Sequence, residues 1–132
     1  ARRIAETVSL TDLAPTLLDL AGFEPPGLPD MDGRSLADLV TGARAPDPEG
    51  GLAYAVMLKD RSSSQEAYAI VRGRHKLIDG PKGLELYDLV ADPKEAKNLA
   101  DEQPELRAEL EAVLAERRAL DVRPPFQRWE KD

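Results

Sequence analysis

Read for its pattern of hydrophobic and polar positions, the chain opens with helical spacing and then changes to that of strands. Leu10, Leu13, Leu17 and Leu20 recur at helical intervals between Val8 and Gly22. Asp12 suits the N-cap, which puts Pro15 at N3, where a missing N–H is harmless. Gly22 suits the C′ position, with Leu18 and Phe23 as the contact expected of a Schellman ending. The proline-rich run Glu24-Pro25-Pro26-Gly27-Leu28-Pro29 lacks too many N–H donors for a helix or a central strand and predicts a surface loop. Asp32-Gly33-Arg34 turns the chain, and Ser35 is placed to cap a helix running to Thr41, with Asp38 completing a Ser-x-x-Asp capping box. Residues 43–51, rich in Pro, Asp and Gly, predict a second loop.

From Leu52 the rhythm becomes that of strands. Tyr54 to Leu58 is a short apolar run, followed by the polar stretch Arg61-Ser62-Ser63-Ser64-Gln65, which reads as a loop. Tyr68 to Arg72 and His75 to Asp79 flank Gly73-Arg74, and glycine at the first central position predicts a type II′ hairpin. The register then pairs Arg72 with His75, Val71 with Lys76, Ile70 with Leu77 and Ala69 with Ile78. After Gly80-Pro81-Lys82-Gly83, the segment Leu84 to Leu89 alternates Leu84, Leu86 and Asp88 with Glu85, Tyr87 and Leu89, a strand packed on both faces. Asp92-Pro93 is expected to end it, and Asn98-Leu99 to lead into a helix capped by Asp101 with Pro104 in its first turn. Leu106, Leu110, Val113, Leu114 and Leu120 form the apolar stripe of that helix, and Arg117 and Arg118 suit the negative end of its dipole. Val122 to Asp132 predicts an extended tail, with Phe126 and Trp129 as its anchors.

The pattern yields an α+β fold: a small antiparallel sheet of about four strands packed with a C-terminal helix, plus an N-terminal helical segment. At 132 residues the chain suits one domain with a modest core. Its 18 basic and 25 acidic residues give a formal charge of −7, which argues against nucleic acid as a partner. The absence of cysteine excludes disulfides, thiolate metal sites and thiol nucleophiles. No apolar run approaches the roughly 20 residues that span a bilayer. Ala1-Arg2-Arg3 is neither an initiator methionine nor a signal peptide, so the chain is expected to be a piece of a longer one.

Candidate chemistry is sparse. Gly33-Arg34-Ser35-Leu36-Ala37 falls one residue short of Gly-x-Ser-x-Gly, and Ser35 lacks the preceding strand that a nucleophile elbow requires. Asp30-Met31-Asp32-Gly33 matches part of a calcium loop without its later acidic ligands. The single histidine, His75, excludes a His-rich metal site. The feature that remains is a basic cluster, Arg72, Arg74, His75 and Lys76, on a rigid hairpin in an acidic chain. Arginine forks match sulfate, phosphate or carboxylate oxygens, which makes these four residues the candidate substrate contacts.

Val8-Ser9-Leu10-Thr11-Asp12-Leu13-Ala14-Pro15-Thr16-Leu17-Leu18-Asp19-Leu20-Ala21-Gly22 with Met31-Asp32-Gly33-Arg34-Ser35-Leu36 resembles the segment that follows the catalytic core in sulfatases. Ala69 to Ile78, Glu85 to Leu89, Asp92-Pro93 and Asn98-Leu99 resemble the C-terminal subdomain of the same family. The resemblance spans Val8 to Leu120. It implies a parent enzyme of the alkaline-phosphatase-like superfamily that hydrolyses sulfate esters with a formylglycine nucleophile and a calcium ion. It also implies an N-terminal catalytic domain as partner, and a sulfated small molecule or glycan as substrate. None of that machinery matches this chain, since the formylglycine motif is absent and the family's metal ligands precede the matched segment. The expected layout is residues 1–51 joining the core to a subdomain at 52–121, with a tail at 122–132. The expected role is to complete the parent's fold and wall one side of its cleft. A free-standing interaction module and a fragment of a phosphodiesterase or phosphonate hydrolase are the alternatives. Self-association of the chain is expected from its leucine-rich helix.

Overall fold

The computed structural model describes residues 3–23, 31–47, 49–58 and 66–120. The loops expected at 24–29 and 61–65 and the tail at 122–132 fall outside these residues or at their margins.

Leu10–Asp12 form a 3-10 turn that runs into helix α1, Leu13–Leu20. Asp12 occupies the N-cap position of α1 as expected but makes no capping bond there, and the side-chain cap is Ser9, at the start of the 3-10 turn. Ser9 Oγ accepts from the Thr11 N–H, and the Asp12 carboxylate accepts from the Ser9 N–H at 2.9 Å. A capping box thus starts one turn earlier than helical spacing alone suggested, because Asp12 uses its carboxylate backwards and sideways instead of forwards. The C-terminal end forms as expected. Gly22 takes φ +72°, and the Phe23 N–H donates to the Leu18 carbonyl at 3.0 Å, the long bond of a Schellman motif.

The chain then returns along α1. The Arg34 N–H donates to Asp12 at 3.0 Å, the Leu36 N–H to Thr16 Oγ1 at 2.9 Å, and the Ser35 hydroxyl to Asp19. Pro15 has no N–H to offer the Thr11 carbonyl four residues back, and Gly33 packs directly on that carbonyl. A Cβ at Gly33 would lie 2.0 Å from it, so only glycine fits. Helix α2, Ala37–Thr41, follows. Ser35 Oγ accepts from the Ala37 N–H at 3.2 Å, but Leu36 occupies the cap position, and the Ser-x-x-Asp box does not form. Ser35 is turned towards Asp19 of α1.

Strands β1 (Leu52–Leu58), β2 (Glu66–Arg72), β3 (His75–Gly80) and β4 (Gly83–Asp88) form one antiparallel sheet in the order β1-β2-β3-β4. The β2–β3 register is the expected one, with Ile70 opposite Leu77 and Arg72 opposite His75. Gly73 at φ +57° meets the demand of the turn. Tyr68, Ile70, Leu77 and Leu86 are buried on one face, beneath Leu110 and Leu114 of helix α3, Pro104–Leu120. Tyr87 is buried on the other face, so β4 is covered on both sides.

Three boundaries differ from the pattern reading. Strand β4 stops at Asp88, not at Asp92-Pro93, because Asp88 Oδ1 accepts from the N–H groups of Val90 and Ala91 and turns the chain at once. Pro104 is the first residue of α3, which leaves Asp101 outside the cap position. Leu120, the last residue of α3, is exposed rather than part of the core stripe. Asn98 has a role that no periodicity shows. Its Oδ1 accepts from the Leu86 N–H at 2.9 Å and its Nδ2 donates to the Leu84 carbonyl at 3.1 Å, while the Leu99 N–H donates to the Leu86 carbonyl at 2.8 Å. The side-chain amide stands in for a neighbouring strand and closes the outer edge of β4.

Candidate functional site

The end of the β2–β3 hairpin carries the basic residues singled out in the sequence. Alternation along the strands divides them. Arg72 and His75 lie on the helix-covered face, in a cross-strand row that continues to Asp88. Lys76 lies on the opposite face between Val71 and Tyr87, and Arg74 stands at the turn.

Each cation of the cluster other than the histidine is paired with a carboxylate. Arg72 Nη1 donates to Glu109 of α3 at 2.9 Å. Arg74 grips Asp88 with two parallel bonds, Nε to Oδ1 at 2.8 Å and Nη2 to Oδ2. This fork is the main reason the Asp88 carboxyl falls to about 2, helped by the Ala91 and Val90 amides against partial burial. Lys76 Nζ meets Glu95 at 2.8 Å. Behind the turn, Thr7 Oγ1 donates to the Gly73 carbonyl at 3.1 Å and the Leu89 N–H to the Arg74 carbonyl at 2.8 Å. The hairpin tip is therefore held from both sides. An incoming anion would find oriented guanidinium groups there, already answered by carboxylates it must displace. The chemistry these oriented donors offer is recognition of an anion.

A second polar constellation escaped the pattern reading. Glu6 is buried, with its side chain wholly covered. Its carboxylate accepts from Arg44 Nη1 at 3.1 Å and Nη2 at 3.0 Å, from the Asp47 N–H at 2.9 Å and from Arg34 Nη2 at 2.8 Å. The Arg44 bonds, then the Asp47 amide and Arg34, outweigh burial and bring its carboxyl down to about 2. The partners lie 28 to 41 residues away, beyond any local signal.

Residues 1–120 match the family model described as N-sulphoglucosamine sulphohydrolase, C-terminal. The chain belongs to this sulfatase C-terminal family. Arylsulfatase K of Mus musculus is 30% identical over 120 residues, which cover 85% of this chain and 21% of the relative. Arylsulfatase K of Rattus norvegicus is 29% identical over the same length. Among solved structures, one determined in complex with its substrate D-glucosamine-2-N,6-O-disulfate superposes with a TM-score of 0.66 at 30% identity, covering 82% of this chain and 23% of that one. A 2-O GAG sulfatase superposes at 0.64 with 31% identity, covering 83% and 25%. This sulfatase C-terminal region thus spans between about a fifth and a quarter of the relatives it matches.

Proposed function

We propose that the chain is the C-terminal portion of a hydrolase of sulfate esters, completing the fold and one wall of the substrate cleft of an N-terminal catalytic domain. On this reading residues 1–51 join that domain to a subdomain at 52–121. The observation that carries the reading is the exposed face of the N-terminal unit. Leu10 is 92% exposed, Leu13 and Leu17 57%, Leu20 47% and Phe23 66%, although the helix that bears them is capped at both ends and tied down by specific hydrogen bonds. A helix so well specified with its apolar stripe outward is half of an interface. The chain covers 21% of arylsulfatase K, and the remaining length of such a relative is the natural cover for that face.

The formylglycine and calcium ion that the family resemblance implies find no fit in these residues. The chain has no cysteine and no serine with proline two positions later, and among the described residues no group of three or more His, Cys, Asp or Glu could hold a metal ion. Both belong, on this reading, to the catalytic domain. What this chain contributes is position, with the hairpin tip at Arg72, Arg74, His75 and Lys76 turned towards a sulfated substrate.

The test is turnover of an aryl sulfate with added calcium. The 132-residue chain alone is expected to be inactive, and the longer protein that contains it active. Turnover by the chain alone that survives repurification overturns the reading. So does a longer protein that cleaves phosphate diesters and no sulfate ester. Sedimentation of the chain alone is expected to show self-association that substitution of Leu13 and Leu17 by Ser removes, and a strict monomer at high concentration counts against an interface there.

A further inference from the structure

Between the start of α1, the Asp32-Gly33-Arg34 turn, β1 and the last turn of α3 lies an open hollow of about 470 Å³. That volume is enough for one or two sugar rings and falls in the usual range of ligand clefts. Its lining is mostly polar, with Ser9, Thr11, Arg34, Arg117 and Tyr54 beside the apolar Leu52 and Leu120.

Arg117 is the observation that needs a cause. Its Nε is buried with no hydrogen-bond partner, and among the described residues its guanidinium meets no carboxylate, only the Tyr54 ring at 5.9 Å. Its neighbour Arg118 makes the contrast, being paired with Asp79 at 3.1 Å and lying 3.9 Å over the Tyr68 ring. Arg117 lines the hollow, and no carboxylate among the described residues answers its charge, which leaves a place for an anion that these residues do not supply. The carboxylates nearby do not fill that place. Asp12 commits one oxygen to the Ser9 N–H and the other to the Arg34 N–H, and Asp32 is exposed at the rim, where it can accept from a sugar hydroxyl. Arg34 is held by Glu6 through Nη2 alone, which leaves the rest of its fork available to the hollow.

We infer that this hollow is a binding subsite for an oxyanion carried on a sugar, with Arg117 as its anchoring cation, Arg34 as the second, and the Ser9 hydroxyl, which accepts from the Thr11 hydroxyl at 2.9 Å and keeps its own proton to give, as a further donor. The oxyanion rests on the geometry, and the sugar rests on the sulfatase reading above. The site is distinct from the hairpin tip, which presents cations that are already paired.

The test is an NMR titration of the 132-residue chain with sodium sulfate at constant ionic strength, then with glucosamine 6-sulfate and with glucosamine. Saturable shifts are expected at the Arg117 Nε–H and at the Ser9 and Thr11 amides, with the sulfated sugar binding more tightly than inorganic sulfate and glucosamine not binding there. Arg117→Ala should weaken sulfate by roughly tenfold or more, whereas Arg118→Ala, which removes the same charge one residue away, should leave it unchanged. Arg117→Lys keeps the charge and gives a folded comparison if the alanine variant loses its amide dispersion, and it should bind between the other two. Absence of saturable shifts with sulfate, or equal weakening by Arg117→Ala and Arg118→Ala, overturns the inference. A hollow that takes inorganic sulfate but not the sulfated sugar overturns the sugar assignment. Failure of the sulfatase reading shows separately, in the turnover assay of the longer protein.

Discussion

The molecule contains two ways of holding a fold together. In residues 52–120 a four-stranded sheet and α3 bury Ile70, Leu77, Leu86, Leu110 and Leu114 in one apolar cluster, and polar groups serve the edges. Residues 3–47 reverse the arrangement. There the buried residues are Glu6, Asp12 and Thr16 beside the apolar Ala37 and Leu39 of α2, and Leu13, Leu17 and Leu20 of α1 face outward. Apolar burial is roughly proportional to area and indifferent to direction, so it stabilises the sheet unit on its own. Hydrogen bonds and ion pairs contribute less net stability but fix geometry strictly. The N-terminal unit is shaped to present a surface, and the sheet unit to stand as a body.

The sharpest way to test that contrast is to truncate leucines in both units. Leu77→Ala or Leu110→Ala should cost about 2 to 5 kcal/mol, the range for cavities opened in a packed core. Leu13→Ala or Leu17→Ala should change stability by no more than about 0.5 kcal/mol, because these side chains are already in water. Urea denaturation followed by circular dichroism measures both. Equal losses in the two units would mean that α1 has a hidden apolar partner within the chain.

Breaking the polar unit from inside comes next in size. Glu6→Gln keeps the shape and removes the charge that Arg34 and Arg44 share. The expected cost is about 2 to 3 kcal/mol, below that of a fully buried pair because both guanidinium groups are partly exposed. Protection of the 3–47 amides from hydrogen exchange should fall while that of the sheet is retained. Acid makes the same test without mutation. The Glu6 carboxyl is lowered from 4.5 to about 2, so its contribution is complete above pH 4.5 and drains away as pH falls from there through about 2. The N-terminal unit should therefore loosen in that window, and the Gln variant should lack that part of the acid dependence. Asp88, also lowered to about 2, adds a loss of the same sign at the hairpin tip, which the Glu6 variant leaves in place.

What could be read from the sequence follows the same division. Rules that act within a few residues gave the hairpin register around Gly73-Arg74, the Schellman ending at Gly22 and the double-sided packing of Leu86 and Tyr87, since each depends on one turn or one alternation. Interactions that skip along the chain were not legible. Glu6 waits for Arg44, Asn98 waits for the free edge at Leu84 and Leu86, and Asp12 serves Arg34 as well as Ser9. Each was assigned a local role or none, because a polar side chain near a turn looks the same whether its partner is three residues away or thirty. At the candidate site, the basic residues were legible as a group, but the carboxylates that pair with them were not. Glu109 and Glu95 come from other segments, and only the cross-strand position of Asp88 beside His75 was within reach of the register.

The smallest effect is expected at the hairpin tip, and its size separates scaffold from substrate contact. Arg74 and His75 sit at or beside a tight turn outside the apolar cluster, so Arg74→Ala or His75→Ala opens no cavity. Arg74→Ala also releases Asp88, but Asp88 keeps the Val90 and Ala91 N–H groups as donors and the guanidinium side of the pair is 44% exposed, so the bridge contributes about 0 to 1 kcal/mol. Stability should thus fall by about 0.5 kcal/mol, a small shift in Tm. Contact with a sulfated substrate gives a different magnitude, because a charge-assisted hydrogen bond lost to an anion costs roughly 1.5 to 3 kcal/mol, or more than tenfold in kcat/KM of the longer enzyme. The paired state of Arg74 makes the kinetics informative in a second way. A substrate sulfate must take the guanidinium from Asp88, so Asp88→Asn should ease that exchange and lower KM if the tip meets substrate, and leave KM alone if it does not. Unchanged kinetics in all three variants assign the tip to scaffolding, where the Arg74 fork serves to hold β4 against the turn.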